Sequence, residues 1–473
     1  MAKIKFGTDG WRAVISDDFT FDNVRIVAQA IADFIKKSRA HAYRRRHIAV
    51  GYDTRFLSEN YAELIAEVLA GNGIKVILSD RPCPTPSVSF AILKYRLTGG
   101  VMVTASHNPA KYNGIKYKDQ YGASAGTDLI GAIERNLHKK AVRSLPVDEA
   151  KRQRLIKIEN IIPVHLKAIC GYVDLSLIKR RAMKILVDSM HGSGGDYIET
   201  TLRGGRISAT TIRANRETTF GGGSPEPKLP NLRELVARMK KRKYDVGFAA
   251  DGDADRLAMV LPNGKLITGH KIMTMLLLHL VQDRSMKGDV VQTICGTVLI
   301  DKICEKFGLK MHETPVGFKY IAEILVKKKA LIGGEETGGI GFKGYLPERD
   351  SIMTAMLILE MAAMRRMTIP AILRSIDREF GTYEYRRMDV KYPNNKKKAL
   401  MERLKKNPFK KVLGKKVVAT EDYDGHKFMC EDESWLLLRL SGTEPILRIY
   451  AEASTEKKSL AMLNFGKKVA YSI

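Results

Sequence analysis

Four loops of the sequence carry residue types that could do chemistry. Residues 104–118, TASHNPAKYNGIKYK, follow the apolar run GGVMV and set Ser106 in a turn beside His107, Asn108 and Pro109. A hydroxyl placed there can project into a cleft as a nucleophile or phosphate carrier, because ligand sites of open α/β sheets gather where strands end. His107 and Lys116 are the nearby side chains able to move protons or bind phosphate. Taken alone, SHNP is more readily an ordinary Ser-containing turn, by about two to one, and the other three loops reverse that balance.

The second loop, AADGDADRLA at 249–258, follows DVGFA and alternates Asp251, Asp253 and Asp255. In extended backbone the three carboxylates project to one side, and keeping them ionised in a partly enclosed site calls for a cation. All-oxygen ligands suit Mg²⁺, Mn²⁺ or Ca²⁺. An EF-hand is excluded, since counting from Asp251 puts Arg256 and Pro262 where that loop needs Gly and Glu. The third loop, LIGGEETGGIGF at 331–342, combines glycines that let backbone approach a ligand with acidic and hydroxyl groups that can bind sugar hydroxyls. Upstream, Lys319 in ETPVGFKYI could deliver a cation to the same cleft. The fourth, RLSGTEPILRIYAE at 439–452, flanks Ser441, Gly442 and Thr443 with Arg439 and Arg448. Guanidinium forks, hydroxyls and turn amides make an anion cradle, with phosphate the natural guest.

These loops need strands and helices to aim them. A short β-branched run, a loop of Gly, Asp or Ser, and a segment of helical period recur: HIAVGYDTR into ENYAELIAEVLAGNG, MKILVDSMHGSGG into DYIETTLR, and GDVVQTICGT into VLIDKICEKFG. Strands apolar along most of their length predict a mostly parallel sheet covered on both faces. After Pro393 a Lys-rich stretch precedes alternating strands that predict hairpins, closed by an amphipathic helix capped at Ser454 or Thr455. The polar SLPVDEAKRQR is the strongest linker signal. The expected domains are 1–150, 151–256, 257–370 and 371–473.

Composition narrows the functional classes. In 473 residues, 80 Lys and Arg against 52 Asp and Glu leave a formal charge of +28, which favours acidic partners. The basic runs are scattered through periodic segments, with no basic arm, zinc-finger spacing or aromatic-interleaved module for specific nucleic-acid binding. Five dispersed cysteines, none at CxxC spacing, fit a reducing cytosol better than a disulfide framework. No signal peptide is expected, and no stretch reaches the ~18 apolar residues of a membrane span.

In this order and at these separations, TASHNP, DGDADR, GEETGG and RLSGTEP resemble the α-D-phosphohexomutase family over nearly the whole chain, as do FGTDGWRA near the amino terminus, GYDTR at 51–55 and TPVGFKYI at 314–321. The resemblance implies a heart-shaped, four-domain α/β enzyme: three similar mixed α/β domains and a C-terminal α+β domain that closes over a central cleft. It implies that Ser106 carries a transferable phosphoryl group and that Asp251, Asp253 and Asp255 bind Mg²⁺ with Ser106 as a further ligand. Glu335 and Thr337 would grip sugar hydroxyls, and Arg439, Ser441, Gly442 and Thr443 would hold the non-reacting phosphate, with Arg448 and Lys319 as further substrate contacts. Arg12 and Arg256 resemble the family's active-site arginines, and His107 and Lys116 its proton-transfer positions.

The implied reaction interconverts hexose 1-phosphate and hexose 6-phosphate through a bound hexose 1,6-bisphosphate, in a cytoplasmic monomer or homodimer that uses no membrane. GEETGG departs from the GEMSGH of dual glucose and mannose enzymes and the GEQSGH of phosphoglucosamine mutases, placing Thr337 for Ser and Gly339 for His. Glu336 and TASHNP resemble the glucose branch, so glucose phosphate is expected, with mannose phosphate as a possible second substrate. The alternatives are a phosphoglucosamine mutase, a phosphatase, and a nucleic-acid-binding protein on a retired enzyme scaffold.

Overall fold

A computed structural model of the chain describes residues 4–7, 9–38, 46–241, 243–441 and 444–472. The first sheet holds β1 (Trp11–Val14), β2 (His47–Tyr52), β3 (Lys75–Ser79), β4 (Gly99–Val103), β5 (Tyr112–Lys118) and β6 (Ile156–Glu159) in the order β1-β5-β4-β2-β3-β6. The second holds β7 (Lys184–Asp188), β8 (Ser208–Ile212), β9 (Val246–Ala250), β10 (Leu257–Val260) and β11 (Leu266–Ile267), ordered β11-β10-β9-β7-β8. The third holds β12 (Val290–Thr293), β13 (Met311–Thr314), β14 (Ile332–Gly334) and β15 (Ile340–Phe342), ordered β13-β12-β14-β15.

These three sheets repeat one topology. β2 pairs in parallel with β3 and β4, and β4 turns back antiparallel onto β5. β7, β8, β9 and β10 do the same, as do β12, β13, β14 and β15. Helices Ser58–Gly71, Tyr197–Leu202 and Val298–Phe307 each join the first strand of a unit to the second, as the recurring strand, loop and helix pattern predicts. The third strand of each unit behaves differently: it ends in a hairpin. The three hairpin turns contain Ser106, the Asp251, Asp253 and Asp255 trio, and Glu335 to Gly339, so the three chemical loops are one structural position used three times. β4 and β9 are buried along their whole length, which fixes where each turn emerges.

The C-terminal unit is the expected α+β domain. β16 (Glu384–Lys391), β17 (Lys411–Val412), β18 (Lys415–Glu421), β19 (His426–Cys430), β20 (Trp435–Leu440) and β21 (Ile446–Ala453) form an antiparallel sheet ordered β16-β21-β20-β19-β18-β17. Helix Glu456–Tyr471 begins where Thr455 accepts the Lys458 amide, as its sequence predicts.

The unit boundaries fall elsewhere than expected. The 144–154 linker is partly a helix, Val147–Arg152, followed by β6, which pairs with β3 and carries the first sheet past residue 150 to Glu159. Its polar composition hid Val147, Ala150 and Leu155, which pack into the first core. A cut at 256 would divide the β9–β10 hairpin, because the acidic loop is a turn inside a unit. A cut at 370 falls in helix Ile369–Phe380, whose apolar face, Ile369, Ile372, Leu373, Ile376 and Phe380, joins the core of the preceding units.

That core is shared by the second and third units. Phe248 and Met259 of one and Val290, Ile332 and Phe342 of the other meet around helix Ser351–Arg365, which is buried on every side through Ala363. Among the described residues no helix is long and apolar enough to cross a membrane. Replacing Ile358 of this helix, which is fully buried, with Ala should cost about 2–5 kcal/mol. The loss should appear in chemical denaturation as a lower midpoint shared by the second and third units.

Candidate active site

The Ser106 turn is strained and anchored. Ser106 adopts φ 52°, a left-handed conformation that non-glycine residues seldom occupy. Its amide donates to Thr104 Oγ1 at 2.8 Å, and its carbonyl accepts from Arg55 Nη2 at 2.6 Å. Arg55, fully buried, also reaches the carbonyls of Asn108, Pro109 and Tyr112, so one guanidinium organises the whole turn. The result is that Ser106 Oγ donates to Asp251 Oδ2 at 2.9 Å, from the first unit to the second. The two loops approach so closely that a Cβ on Gly252 would lie 2.6 Å from the Ser106 carbonyl oxygen.

Asp251, Asp253 and Asp255 are all buried to 0% exposure, and their ligand atoms lie within 4.8 Å of one another. Asp251 Oδ1 accepts the amides of Asp255 and Arg256. Asp253 Oδ2 accepts from Thr85 Oγ1 at 2.6 Å and Lys116 Nζ at 2.8 Å, and Asp255 Oδ2 pairs with Lys116 at 3.0 Å and Arg349 at 2.8 Å. Oδ1 of Asp253 and Oδ1 of Asp255 are buried without a hydrogen-bond partner. Each carboxylate therefore keeps one oxygen that is orphaned or faces only Ser106, and an all-oxygen set of that kind fits a hard divalent cation. Burial and the two neighbouring carboxylates push Asp251 well above the usual carboxylate range. Burial acts the same way on Asp253, but Lys116, Thr85 and Arg349 together outweigh it and hold that group below the range.

Lys116 is buried in three ion pairs, with Asp9, Asp253 and Asp255. Burial disfavours its charge, yet the three carboxylates raise it above an ordinary lysine, so Lys116 is a fixed cation. His107 is its opposite. Arg256 Nη1 donates to His107 Nδ1 at 3.1 Å, and burial together with Arg256 and Arg12 holds the ring neutral. Ser106 Oγ lies 3.4 Å from the same nitrogen.

In front of this buried group opens a cleft of about 680 Å³, within the range of small-molecule sites. His107, Arg12 and Arg256 line it beside Ser106, Glu335, Glu336 and Thr337 line a wall of the third unit, and Arg448 comes from the C-terminal domain. Thr337 Oγ1, Glu336 Oε2 and Arg448 Nε are buried without partners. Burial raises Glu335 to about 7, against the pull of Arg349 and Arg256. Three expected contacts lie off this wall. Lys319 lines a smaller adjoining cavity with Lys116 and stacks on Tyr320 at 5.0 Å. Arg439 turns to Asp424 at 2.9 Å. Ser441 is buried in its turn, its Oγ accepting the Glu444 amide and its carbonyl bonded by Lys397. Gly442 and Thr443 lie outside the described residues.

Sequence reading missed several cleft residues. Asp9 sits inside FGTDGWRA and pairs with Lys116, Arg349 and Arg12. Arg349 also reaches Asp255, Glu335 and Glu348, which with Asp9 ties the second and third hairpin turns to the first unit, and Glu348 pairs in turn with Lys118. The available signal was Glu348, Arg349 and Asp350, three charges directly ahead of the apolar SIMTAMLILEMAAM. Arg349 also accounts for the glycine at 339: a Cβ there would lie 2.3 Å from Arg349 Cδ. Tyr385 and Arg387 of β16 line the cleft too, and Arg387 faces Glu336 at 3.9 Å.

A repeated α/β scaffold that converges a hydroxyl, a carboxylate trio and several arginines on one cleft defines an enzyme that handles phosphoryl groups. Comparison with known proteins gives its family. Residues 3–143, 163–264 and 268–379 match the phosphoglucomutase/phosphomannomutase alpha/beta/alpha domains I, II and III, and 388–463 match the C-terminal domain of the same proteins. A phosphoglucomutase/phosphomannomutase of Thermococcus kodakarensis is 30% identical over 98% of both chains. A phosphoglucosamine/phosphogalactosamine mutase of Sulfurisphaera tokodaii is 28% identical, again over 98% of both. The crystal structure of a Thermus thermophilus protein named as a putative phosphomannomutase covers 99% of both chains with a TM-score of 0.87 and 31% identity. The chain belongs to the phosphoglucomutase/phosphomannomutase family and is a mutase, an intramolecular phosphotransferase.

Glu335 supplies a pH test. A carboxyl raised to about 7 is neutral below that pH, with one oxygen a donor, and a full two-oxygen acceptor only above it. The specificity constant kcat/KM for a hexose phosphate should therefore rise with pH through about 7 in the native enzyme. Glu335→Gln, which cannot ionise, should be slower and lack that limb.

Proposed function

We propose that the protein interconverts hexose 1-phosphate and hexose 6-phosphate through phospho-Ser106, with glucose the favoured sugar and mannose a second substrate. The observation that carries this reading is the Ser106 hydroxyl 2.9 Å from Asp251, held at the cationic end of the cleft beside Arg12, Arg256 and His107. The bond from phosphorus to Ser106 Oγ breaks as a bond forms to the free sugar hydroxyl, whose proton is passed on and ends on Ser106 Oγ, restoring the hydroxyl that donates to Asp251. Neutral His107, with Nδ1 3.4 Å from Ser106 Oγ, can relay that proton once Arg256, which bonds the same nitrogen here, turns to the phosphoryl oxygens, whereas Lys116, fixed as a cation, serves by its charge. The hexose 1,6-bisphosphate then turns about in the cleft, and its other phosphoryl group returns to Ser106. The same bisphosphate, supplied from solution, primes Ser106.

Charge governs the rates of both transfers. A phosphoserine with a charge of about −1.5 to −2 meets a substrate that already bears phosphate, and catalysis rests on positioning and electrostatic stabilisation. Arg12 and Arg256 hold Asn108 and His107, the residues that follow Ser106, while Arg448 and Arg387 offer a cradle for the distant phosphate on the C-terminal domain. Asp251, Asp253 and Asp255, with Ser106, are the residues that would hold Mg²⁺. When bound, the ion neutralises charge on the phosphoryl oxygens. Glu335, Glu336 and Thr337 present acceptors, and Thr337 also a donor, to the sugar hydroxyls between the two ends. Since a terminal domain supplies the distant cradle, its motion would let the intermediate reorient without leaving.

Relatives of this chain carry both glucose/mannose and glucosamine names, so the sugar must be ranked directly. With Mg²⁺ and a trace of glucose 1,6-bisphosphate, glucose 1-phosphate should give the highest kcat/KM, mannose 1-phosphate a lower one and glucosamine 1-phosphate the lowest. A ranking led by glucosamine 1-phosphate would replace the sugar assignment. Ser106→Ala should remove nearly all turnover in every case while leaving the denaturation midpoint in place, and near-native activity would refute the phosphoserine mechanism.

A further inference from the structure

The metal-binding loop is gripped from outside by the first residues of two helices. Thr85, opening helix Thr85–Tyr95 of the first unit, donates its amide to the Asp253 carbonyl at 2.9 Å and its hydroxyl to Asp253 Oδ2 at 2.6 Å. Ser351, opening helix Ser351–Arg365 of the third unit, donates its amide and hydroxyl to the Ala254 carbonyl at 3.1 and 2.8 Å. Ala254 has φ 56°, so the loop is held in a conformation it does not favour by itself.

One side chain joins those two helices. His165, on helix Ile162–Tyr172, lies between Ser87 Oγ, 2.8 Å from its Nδ1, and Asp350 Oδ2, 2.7 Å from its Nε2. Ser87 is two residues past Thr85, and Asp350 is the residue before Ser351, where its other oxygen caps the helix at the amides of Ile352 and Met353. Tyr345 OH donates to Asp350 as well, and the His165 ring packs against Phe90 and Tyr345, which also meet each other. The residue order is that of a serine hydrolase triad with the two ring nitrogens exchanged, but Ser87, His165 and Asp350 are fully buried and, unlike His107 beside Ser106, none of them lines the cleft. A buried chain of this kind is satisfied at every link and rigid, and its use is to fix the distance between its ends.

We propose that His165 is a positioning residue for the metal site: through Ser87 and Asp350 it locks the helix starts that hold Asp253 and Ala254, and so sets the carboxylate geometry presented to the cation. It touches neither the ion nor the substrate. Such outer partners of ligand groups typically alter metal affinity by about 10- to 100-fold when replaced. This inference rests on the Mg²⁺ reading above.

The test is Mn²⁺ binding to the full-length protein, followed by loss of the free-ion paramagnetic resonance signal, for the native chain, His165→Gln and Ser87→Ala. Glutamine can keep the bond to Asp350 but not the one to Ser87, and alanine at 87 removes only the hydroxyl. Both variants should bind Mn²⁺ about tenfold or more weakly. With saturating metal, KM for the hexose phosphate should stay at the native value, a split that general loosening of the fold would not produce. Native-like Mn²⁺ affinity in Ser87→Ala, which is the variant least able to disturb folding, overturns the role of His165 alone. A native chain that binds no Mn²⁺ overturns the metal reading and this inference with it.

Discussion

Everything at the active site follows from confining three carboxylates within 4.8 Å of one another, out of contact with water. Charges so placed are tolerated only if each is paired or hydrogen-bonded. Lys116 and Arg349 answer Asp255, Lys116 and Thr85 answer Asp253, and Ser106 with two backbone amides answers Asp251. Those partners come from the first and third units as well as the second. The carboxylate trio therefore acts as the electrostatic anchor on which three domains converge, and the strained Ser106 turn is held against it.

The repeated topology explains how one chain meets that constraint. A hairpin turn at the end of the third strand is the same place in each unit, so three copies of one fold offer three turns of similar reach. The first supplies a hydroxyl, the second carboxylates and the third the acidic and hydroxyl groups of Glu335, Glu336 and Thr337. Arg349, with Asp9, Asp255 and Glu335 around it, crosses all three unit boundaries in a single side chain.

Much of this was legible in the residues themselves. Ser106 and the three aspartates stand out locally at strand ends, but the aspartates meet through a tight turn with Ala254 at φ 56° and not through the extended alternation their spacing predicts. Helix Val298–Phe307 and its αL stop at Gly308 were equally plain, being local signals. What stayed hidden depends on distant partners. Asp9 and Arg349 are 340 residues apart in sequence, and no periodicity announces that they meet. The unit boundaries were misplaced for a related reason: polar composition at 144–154 masked a helix and strand that belong to the first core, while the acidic loop looked like a domain edge although it is a hairpin turn. Arg439 reads as a phosphate ligand in RLSGTEP, yet Asp424 claims its guanidinium.

The central claim is that Ser106 Oγ exchanges a phosphoryl group at the carboxylate trio. Incubation of the native protein with glucose 1,6-bisphosphate and Mg²⁺, followed by peptide mapping in a mass spectrometer, tests it directly. The account predicts a single phosphoryl group on Ser106, discharged when glucose 1-phosphate is added. A phosphoryl group on another residue, or none on a protein that still turns over hexose phosphate, would contradict it.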